Sequence, residues 1–277
     1  MLDKLYIDNI IMAALKEDLP FGDITTENTV KPGTRAKAIL IARQDAVIAG
    51  LDIFERVFKI LDENTTFIRH INDGERVSNG AVFMEFGGDA AVLLKGERTA
   101  LNFLQHLSGI ATKTAEFCKR VEGLPVKITD TRKTVPGMRY LAKYAVRAGG
   151  GYNHRHCLSD GVLIKDNHIK AAGGIRQAVE RVRRHIPHTV KIEVETENLE
   201  QVREALEAGA DIIMFDNMSL DMMREAAKIV NGRALTEASG DVHLDTVREV
   251  AMTGVDIISV GELTHTVKAA NISMKFV

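Results

Sequence analysis

The residues best suited to chemistry lie between Asp130 and Lys170. Eight Lys or Arg (Arg132, Lys133, Arg139, Lys143, Arg147, Arg155, Lys165, Lys170) stand there against three acids (Asp130, Asp160, Asp166). The whole chain has 277 residues and a formal charge of −2, so this positive excess is local. The same run contains Gly149, Gly150 and Gly151, which let a backbone approach a ligand closely or turn through positive φ. Such a patch expects an anion. Arginine forks take carboxylates or phosphates bidentately. Glu195 and Asp216, further along the chain, suit hydroxyls or a developing positive charge. Buried salt bridges that only fix the fold are the alternative, and they need good partners to offset desolvation.

Other chemistries fit less well. His154 and His156 form an HxH pair that could ligate a metal, but Arg155 sits between them and no Cys, His or Asp set with compatible spacing follows. No dedicated metal site is therefore expected. Cys157 reads as a small hydrophobe rather than a nucleophile. There is no GxxxxGK[ST] run and no strand-linked GxGxxG, which removes the common nucleotide loops. ASGD at 238–241 and SVGE at 259–262 are glycine-containing segments of the kind that hold phosphate on backbone N–H groups.

The elements that position these residues follow from apolar spacing. Residues 5–18 predict a helix ending before Pro20. From Arg35 to Asp89 short β-rich runs alternate with turn residues around one helical insert, DIFERVFKIL, which predicts a small α+β domain. Residues 95–121 predict a long helix with Arg98, Asn102 and His106 on one polar stripe. From Val126 six apolar runs alternate with amphipathic segments, the pattern of βαβ units. An eight-stranded barrel takes about 250 residues, and about 150 remain here. The expected architecture is thus an α/β barrel of fewer strands, with a doubly wound open sheet as runner-up. In either, ligands sit at the carboxyl ends of the strands. Alternation puts Lys191, Glu193 and Glu195 on the inner face of their strand, and Asp216 inward with Ile212 and Met214.

Composition narrows the class. No run of about 18 apolar residues predicts a membrane span, and a secretory signal pattern is absent, so a cytoplasmic location is expected. Two cysteines, Cys118 and Cys157, do not make a disulfide framework. A near-neutral charge, no Trp and few aromatics speak against a nucleic-acid surface.

Several motifs together resemble the quinolinate phosphoribosyltransferase family, also called nicotinate-nucleotide pyrophosphorylase (carboxylating). They are PFGDITT at 20–26, ERTALNFLQHLSGIAT at 97–112, DTRKTVPGMRYLAKYAVRAGGGYNHR at 130–155, LIKDNHI at 163–169, EVE at 193–195, FDN at 215–217, EASG at 237–240 and SVG at 259–261. The resemblance implies an N-terminal α/β sandwich domain over 1–104 and an incomplete, six- to seven-stranded α/β barrel over 105–277, with the C-terminal tail packing back on the first domain. It implies transfer of phosphoribosyl from phosphoribosyl pyrophosphate to quinolinate with loss of CO2, in NAD biosynthesis. Arg132, His154 and Arg155 would receive the two carboxylates, with Arg98 supplied by the other subunit of a homodimer or larger oligomer. Lys133 and Lys165, beside Thr131, would lie between the substrates. Glu195 and Asp216 would bind the ribose hydroxyls, with Mg2+ accompanying phosphoribosyl pyrophosphate. Ser239, Gly240 and the loop Val260, Gly261 and Glu262 would hold the 5′-phosphate. Asp241 departs from the glycine common in relatives and puts an extra negative side chain beside that phosphate. The motifs fix the phosphoribosyl half better than the acceptor base, so a related transferase with another base is the near rival. A metal-dependent hydrolase and a catalytically inactive binding protein are the distant ones.

Overall fold

A computed structural model describes residues 3–277. Helix α1 (Lys4–Asp18) buries Ile7, Ile11 and Leu15, one per turn, and the Asp3 side chain caps it by accepting from the Leu5 N–H. α2 (Ile24–Thr29) is capped in the same way by Asp23. There follow β1 (Arg35–Ala42), β2 (Ala46–Val47), α3 (Leu51–Leu61), β3 (Thr66–Arg69), β4 (Arg76–Val77), β5 (Val82–Asp89) and α4 (Ala90–Arg120). The chain continues with β6 (Lys127–Thr129), α5 (Arg139–Ala148), β7 (Val162–Ile164), α6 (Asp166–Ala172), α7 (Ile175–Arg183), β8 (Ile192–Thr196), α8 (Leu199–Glu207), β9 (Ile212–Asp216), α9 (Leu220–Val230), β10 (Leu235–Ser239), α10 (Val247–Ala251), β11 (Ile257–Ser259) and α11 (Glu262–His265), and β12 (Ile272–Phe276) closes the sequence of elements.

Two compact units form. The first takes the described residues of Met1–Ala115 together with Pro136–Gly150 and Val267–Val277; the second takes Glu116–Val135 and Gly151–Thr266. The boundary drawn from sequence at 104/105 falls inside α4, an unbroken helix, so no linker exists there.

In the first unit an antiparallel sheet runs β12-β1-β5-β3. Phe54 and Phe58 of α3 are fully buried and meet Phe86 at ring-centroid distances of 5.4 and 5.3 Å. That contact is the centre of this core, because aromatic pairs bury large area at a favourable offset. The glycine run answers to packing here. A Cβ on Gly149 would stand 2.4 Å from the Ala111 carbonyl oxygen and 2.7 Å from Thr114 Cβ, both on α4. Gly150 supplies a positive φ of 87° just after α5. Gly149→Ala is therefore expected to destabilise by about 1–3 kcal/mol through overpacking. Calorimetry should show a Tm lowered by about 2–4 °C per kcal/mol. An unchanged Tm would mean that α5 shifts freely away from α4.

In the second unit six parallel strands run β6-β11-β10-β9-β8-β7. The free edge of β6 carries one further bridge, Thr129 to Tyr152, and among the described residues no strand joins it to β7. The sheet is thus an incomplete barrel, not a closed one. Ile192 and Val194 of β8 and Ile213 and Phe215 of β9 are fully buried, as the alternation requires for side chains facing the helices. Asn198 and Ser219 side chains cap α8 and α9, which fixes where each strand stops and its helix begins.

Candidate functional site

The carboxyl ends of these strands open into a cavity of about 800 Å³, large enough for a small polyanion and its partner. Thr131, Arg132 and Lys133 line it after β6, and Lys165 after β7. Glu195 comes from β8, Met214 and Asp216 from β9, Glu237 and Ser239 from β10 and Ser259 from β11. His154 and Arg155 enter from the loop before β7, and Gly240 and Asp241 follow β10. Strand alternation is what brings them together, since each strand delivers its inward-facing polar residue at the open end.

The charges are paired across the mouth. Lys165 Nζ lies 3.0 Å from Glu195 Oε2, with Glu195 nearly buried and Lys165 half exposed. Burial first, and then the charge of Glu195, raise the Asp216 carboxyl above its ordinary range; the Asn217 amide, donating to Asp216 Oδ2 at 3.0 Å, opposes this. Arg155 donates through Nη1 to the Gly161 carbonyl at 2.8 Å. Burial and then Arg132 make its charge costlier to hold, so an anion between the two guanidiniums would relieve both.

The loop that carries Arg155 is held by Asp130, which is fully buried and accepts from the His154 backbone N–H at 2.9 Å and from the Asn153 amide at 2.5 Å. Asp130 is a fastener rather than a ligand. Lys133 is held by its backbone: its N–H donates to Thr131 Oγ1 at 3.0 Å and its carbonyl accepts from Thr264 Oγ1 at 2.7 Å. A Cβ on Gly261 would meet Lys133 Cδ at 3.0 Å, so the loop after β11 stands directly beside that lysine.

Not every residue singled out from sequence lines this cavity. Arg98 is an exposed residue of α4 in the first unit. Val260, Gly261 and Glu262 are absent from the wall. His156 also lies outside it; its backbone N–H donates to Asp160 Oδ2 at 2.6 Å. Conversely, Leu163, Met214, Asn217, Glu237 and Ser259, to which the sequence assigns no role, line the cavity. Parity with Asp216 already puts Met214 on the inner face and the FDN motif contains Asn217, but neither pattern shows that the Asn217 side chain reaches the cavity. Asn217 sits at φ 53°, and a Cβ on Gly240 (φ 95°) would be 2.2 Å from its Oδ1. Asp241, at φ 48°, is likewise left-handed, so two of the three non-glycine residues of positive φ among the described ones stand at this mouth. The Asp241 carboxylate accepts from His243 Nε2 at 2.9 Å, which directs its charge onto an imidazole.

At the floor of the cavity lies a cluster that the HxH pattern does not describe. His154 Nε2 is 3.1 Å from Glu193 Oε2 and 3.5 Å from Glu237 Oε1. Glu193 and Glu237 are both buried, and the three groups are close enough to share one metal ion. Arginines above, acids at the sides and a buried acidic floor can bind a polyanion, orient a sugar between carboxylates and exclude water.

Comparisons with known proteins agree over the whole chain. Residues 23–108 match the family model described as quinolinate phosphoribosyl transferase, N-terminal domain, and residues 110–275 match its C-terminal domain. A probable nicotinate-nucleotide pyrophosphorylase (carboxylating) of Bacillus subtilis (strain 168) is 46% identical over 273 residues, covering 99% of this chain and 94% of that protein. The quinolinate phosphoribosyltransferase (decarboxylating) 2, mitochondrial, of Nicotiana glauca is 40% identical, over 97% of this chain and 82% of that one. The crystal structure of NadC from Streptococcus pyogenes superposes with a TM-score of 0.96 at 42% identity, over 99% of this chain and 97% of that chain.

Proposed function

The chain belongs to the quinolinate phosphoribosyl transferase family, and from that premise we propose that it transfers the phosphoribosyl group of phosphoribosyl pyrophosphate to quinolinate with decarboxylation. The products are nicotinate mononucleotide, pyrophosphate and CO2, a step of de novo NAD biosynthesis. The observation that carries the reading is one cavity in which Arg132 and Arg155 stand together and Lys165 pairs with Glu195 across from Asp216. A dicarboxylate needs the first group and a ribosyl cation the second.

Arg132 and Arg155, with His154 beside them, take the carboxylates of quinolinate bidentately. Lys133 and Lys165 lie between the two anions and offset their repulsion. Phosphoribosyl pyrophosphate enters as its Mg2+ complex, with Glu195 and Asp216 on the ribose hydroxyls and the 5′-phosphate at Ser239, Gly240 and the Val260–Glu262 loop. Breaking the bond from the anomeric carbon to pyrophosphate leaves positive charge on the ribose ring. The fixed carboxylates stabilise that charge more in the transition state than before it. The pyridine nitrogen then bonds to the anomeric carbon and becomes cationic. It draws the electrons left when the adjacent carboxylate departs as CO2, and a proton takes that place.

Arg98 completes the dicarboxylate site from the other subunit of a homodimer. Its exposed position on α4 leaves the guanidinium available for this. Location in the cytoplasm goes with the same reading and with two unpaired thiols, Cys118 and Cys157. No helix among the described residues is long and apolar enough to cross a membrane.

The test follows nicotinate mononucleotide and CO2 together from quinolinate, phosphoribosyl pyrophosphate and Mg2+. Equal release is expected. Pyrophosphate release without CO2, or a preference for nicotinate, would sink the quinolinate reading while keeping the phosphoribosyl half. For the shared site, Arg98→Ala and Arg155→Ala subunits are each expected to be nearly inactive alone. Mixed after dissociation, they should recover part of the activity, because a heterodimer restores one intact site. No recovery would place Arg98 in its own subunit's chemistry.

A further inference from the structure

Glu193 and Glu237 face each other beneath the arginines with 4% and 1% of their surface exposed, and the Oε1 atom of each is buried without a hydrogen-bond partner. Two ionised carboxylates set this close, each with one buried and unpartnered oxygen, repel each other, and a cation or a proton between them would relieve that. A divalent metal and a proton are the two possibilities, and His154 distinguishes them. The Arg155 backbone N–H donates to His154 Nδ1 at 2.8 Å, so Nδ1 presents its lone pair and Nε2 carries the ring hydrogen. Glu193 Oε2 lies 3.1 Å from that nitrogen and is the nearer acceptor, while Glu237 Oε1 stands 3.5 Å away. A metal at Nε2 would need the lone pair there and the hydrogen on Nδ1, where the Arg155 N–H already stands.

We propose that Glu193 and Glu237 hold one proton between them, and that this proton keeps the floor beneath the dicarboxylate site at one negative charge rather than two. The pair is a positioning device: it fixes the His154 tautomer, and His154 in turn accepts from the backbone of Arg155. The groups that face Glu237 are Glu193 from β8, His154 from the loop before β7 and Ser259 from β11. Arg155 faces Glu193, and Arg132 faces Arg155. Burial and then Glu193 raise the Glu237 carboxyl, while His154 and Ser259 only partly oppose them, which agrees with this geometry. When the pH rises far enough to remove the proton, a second negative charge appears under the substrate's carboxylates and quinolinate binds less well.

This inference rests on the proposed quinolinate reaction for its kinetic consequence, but not for its chemistry, so two measurements are made on the intact protein. Infrared spectroscopy without substrate should show the carbonyl stretch of a buried carboxylic acid at neutral pH, lost at high pH and missing in Glu237→Gln. The KM for quinolinate should rise about tenfold with pH in the parent, the factor equivalent to one pKa unit of interaction. Glu237→Gln, which keeps that side chain neutral at every pH, should show no alkaline rise in KM whatever its own low-pH value, and Glu193→Gln serves the same purpose if the first variant does not fold. No acid band at neutral pH, an unchanged alkaline rise in the variant, or stoichiometric zinc or manganese in the purified protein would each overturn the shared proton. A chain that ignores quinolinate but shows the band would refute the reaction and keep the pair.

Discussion

Glu195→Gln is expected to lower kcat by about 10²- to 10³-fold, the loss typical of removing one preorganised electrostatic partner of a transition state. The amide keeps the shape of the side chain and removes only its charge. Glu195 is nearly buried, with Lys165 Nζ 3.0 Å away, so the charge acts in a setting where solvent screens it little. The pH profile gives a second readout. Burial and then Glu195 hold the Asp216 carboxyl above the usual range. Activity that needs ionised Asp216 therefore declines as the pH falls through that raised value. With the Glu195 charge gone, Asp216 ionises more readily, and the acid limb of the residual activity moves to lower pH. Steady-state kcat across the acid range measures both effects. Parent-like kcat in the variant would remove Glu195 from the chemistry.

The second large effect separates charge from shape. Arg155→Lys is expected to cut kcat/KM for quinolinate by about 100-fold, within the range seen when a buried charged hydrogen-bonding partner is lost. One guanidinium nitrogen of Arg155 already donates to the Gly161 carbonyl, which aims the remaining donors. Lysine carries the same charge but has neither the fork nor the anchor. Discrimination between quinolinate and nicotinate should shrink with it, since the second carboxylate is what the fork reads. Parallel kinetics on both acids check this; a lysine variant with parent-like KM would show that net charge alone suffices.

Much of this arrangement was legible in the residues, for reasons that differ by element. Alternation in KIEVE placed Glu195 at the mouth and Glu193 further down the same inner face, because a strand has only two sides. What it could not reveal is that Glu193 meets Glu237. That depends on β8 and β10 being separated by β9 and curving toward one interior, with Glu195 opposite Met214 and Glu237 opposite Met214 in the two ladders. Helix α4 begins at Ala90, five residues before the position expected from sequence, because AAVLL after Asp89 shows no polar stripe from which a helix could be read. The Asp89 side chain decides otherwise by accepting from the Ala91 N–H at 2.9 Å. The glycine run suggested a ligand loop, whereas Gly149 yields to α4; periodicity carries no information about which backbone comes close. Strand β4 has two residues, too few for any pattern to register.

The order of the strands in the first sheet has a consequence for biosynthesis. β1 pairs with β5 on one side and with β12 on the other, and β12 holds residues 272–276. On the ribosome β1 emerges early, while its second neighbour is translated only after the whole incomplete barrel. For that interval β1 is an unprotected sheet edge, able to pair with another nascent chain. The unit that starts first is finished last, so truncation or a bulky fusion at the end of the chain should act on the beginning of the fold, as aggregation during expression.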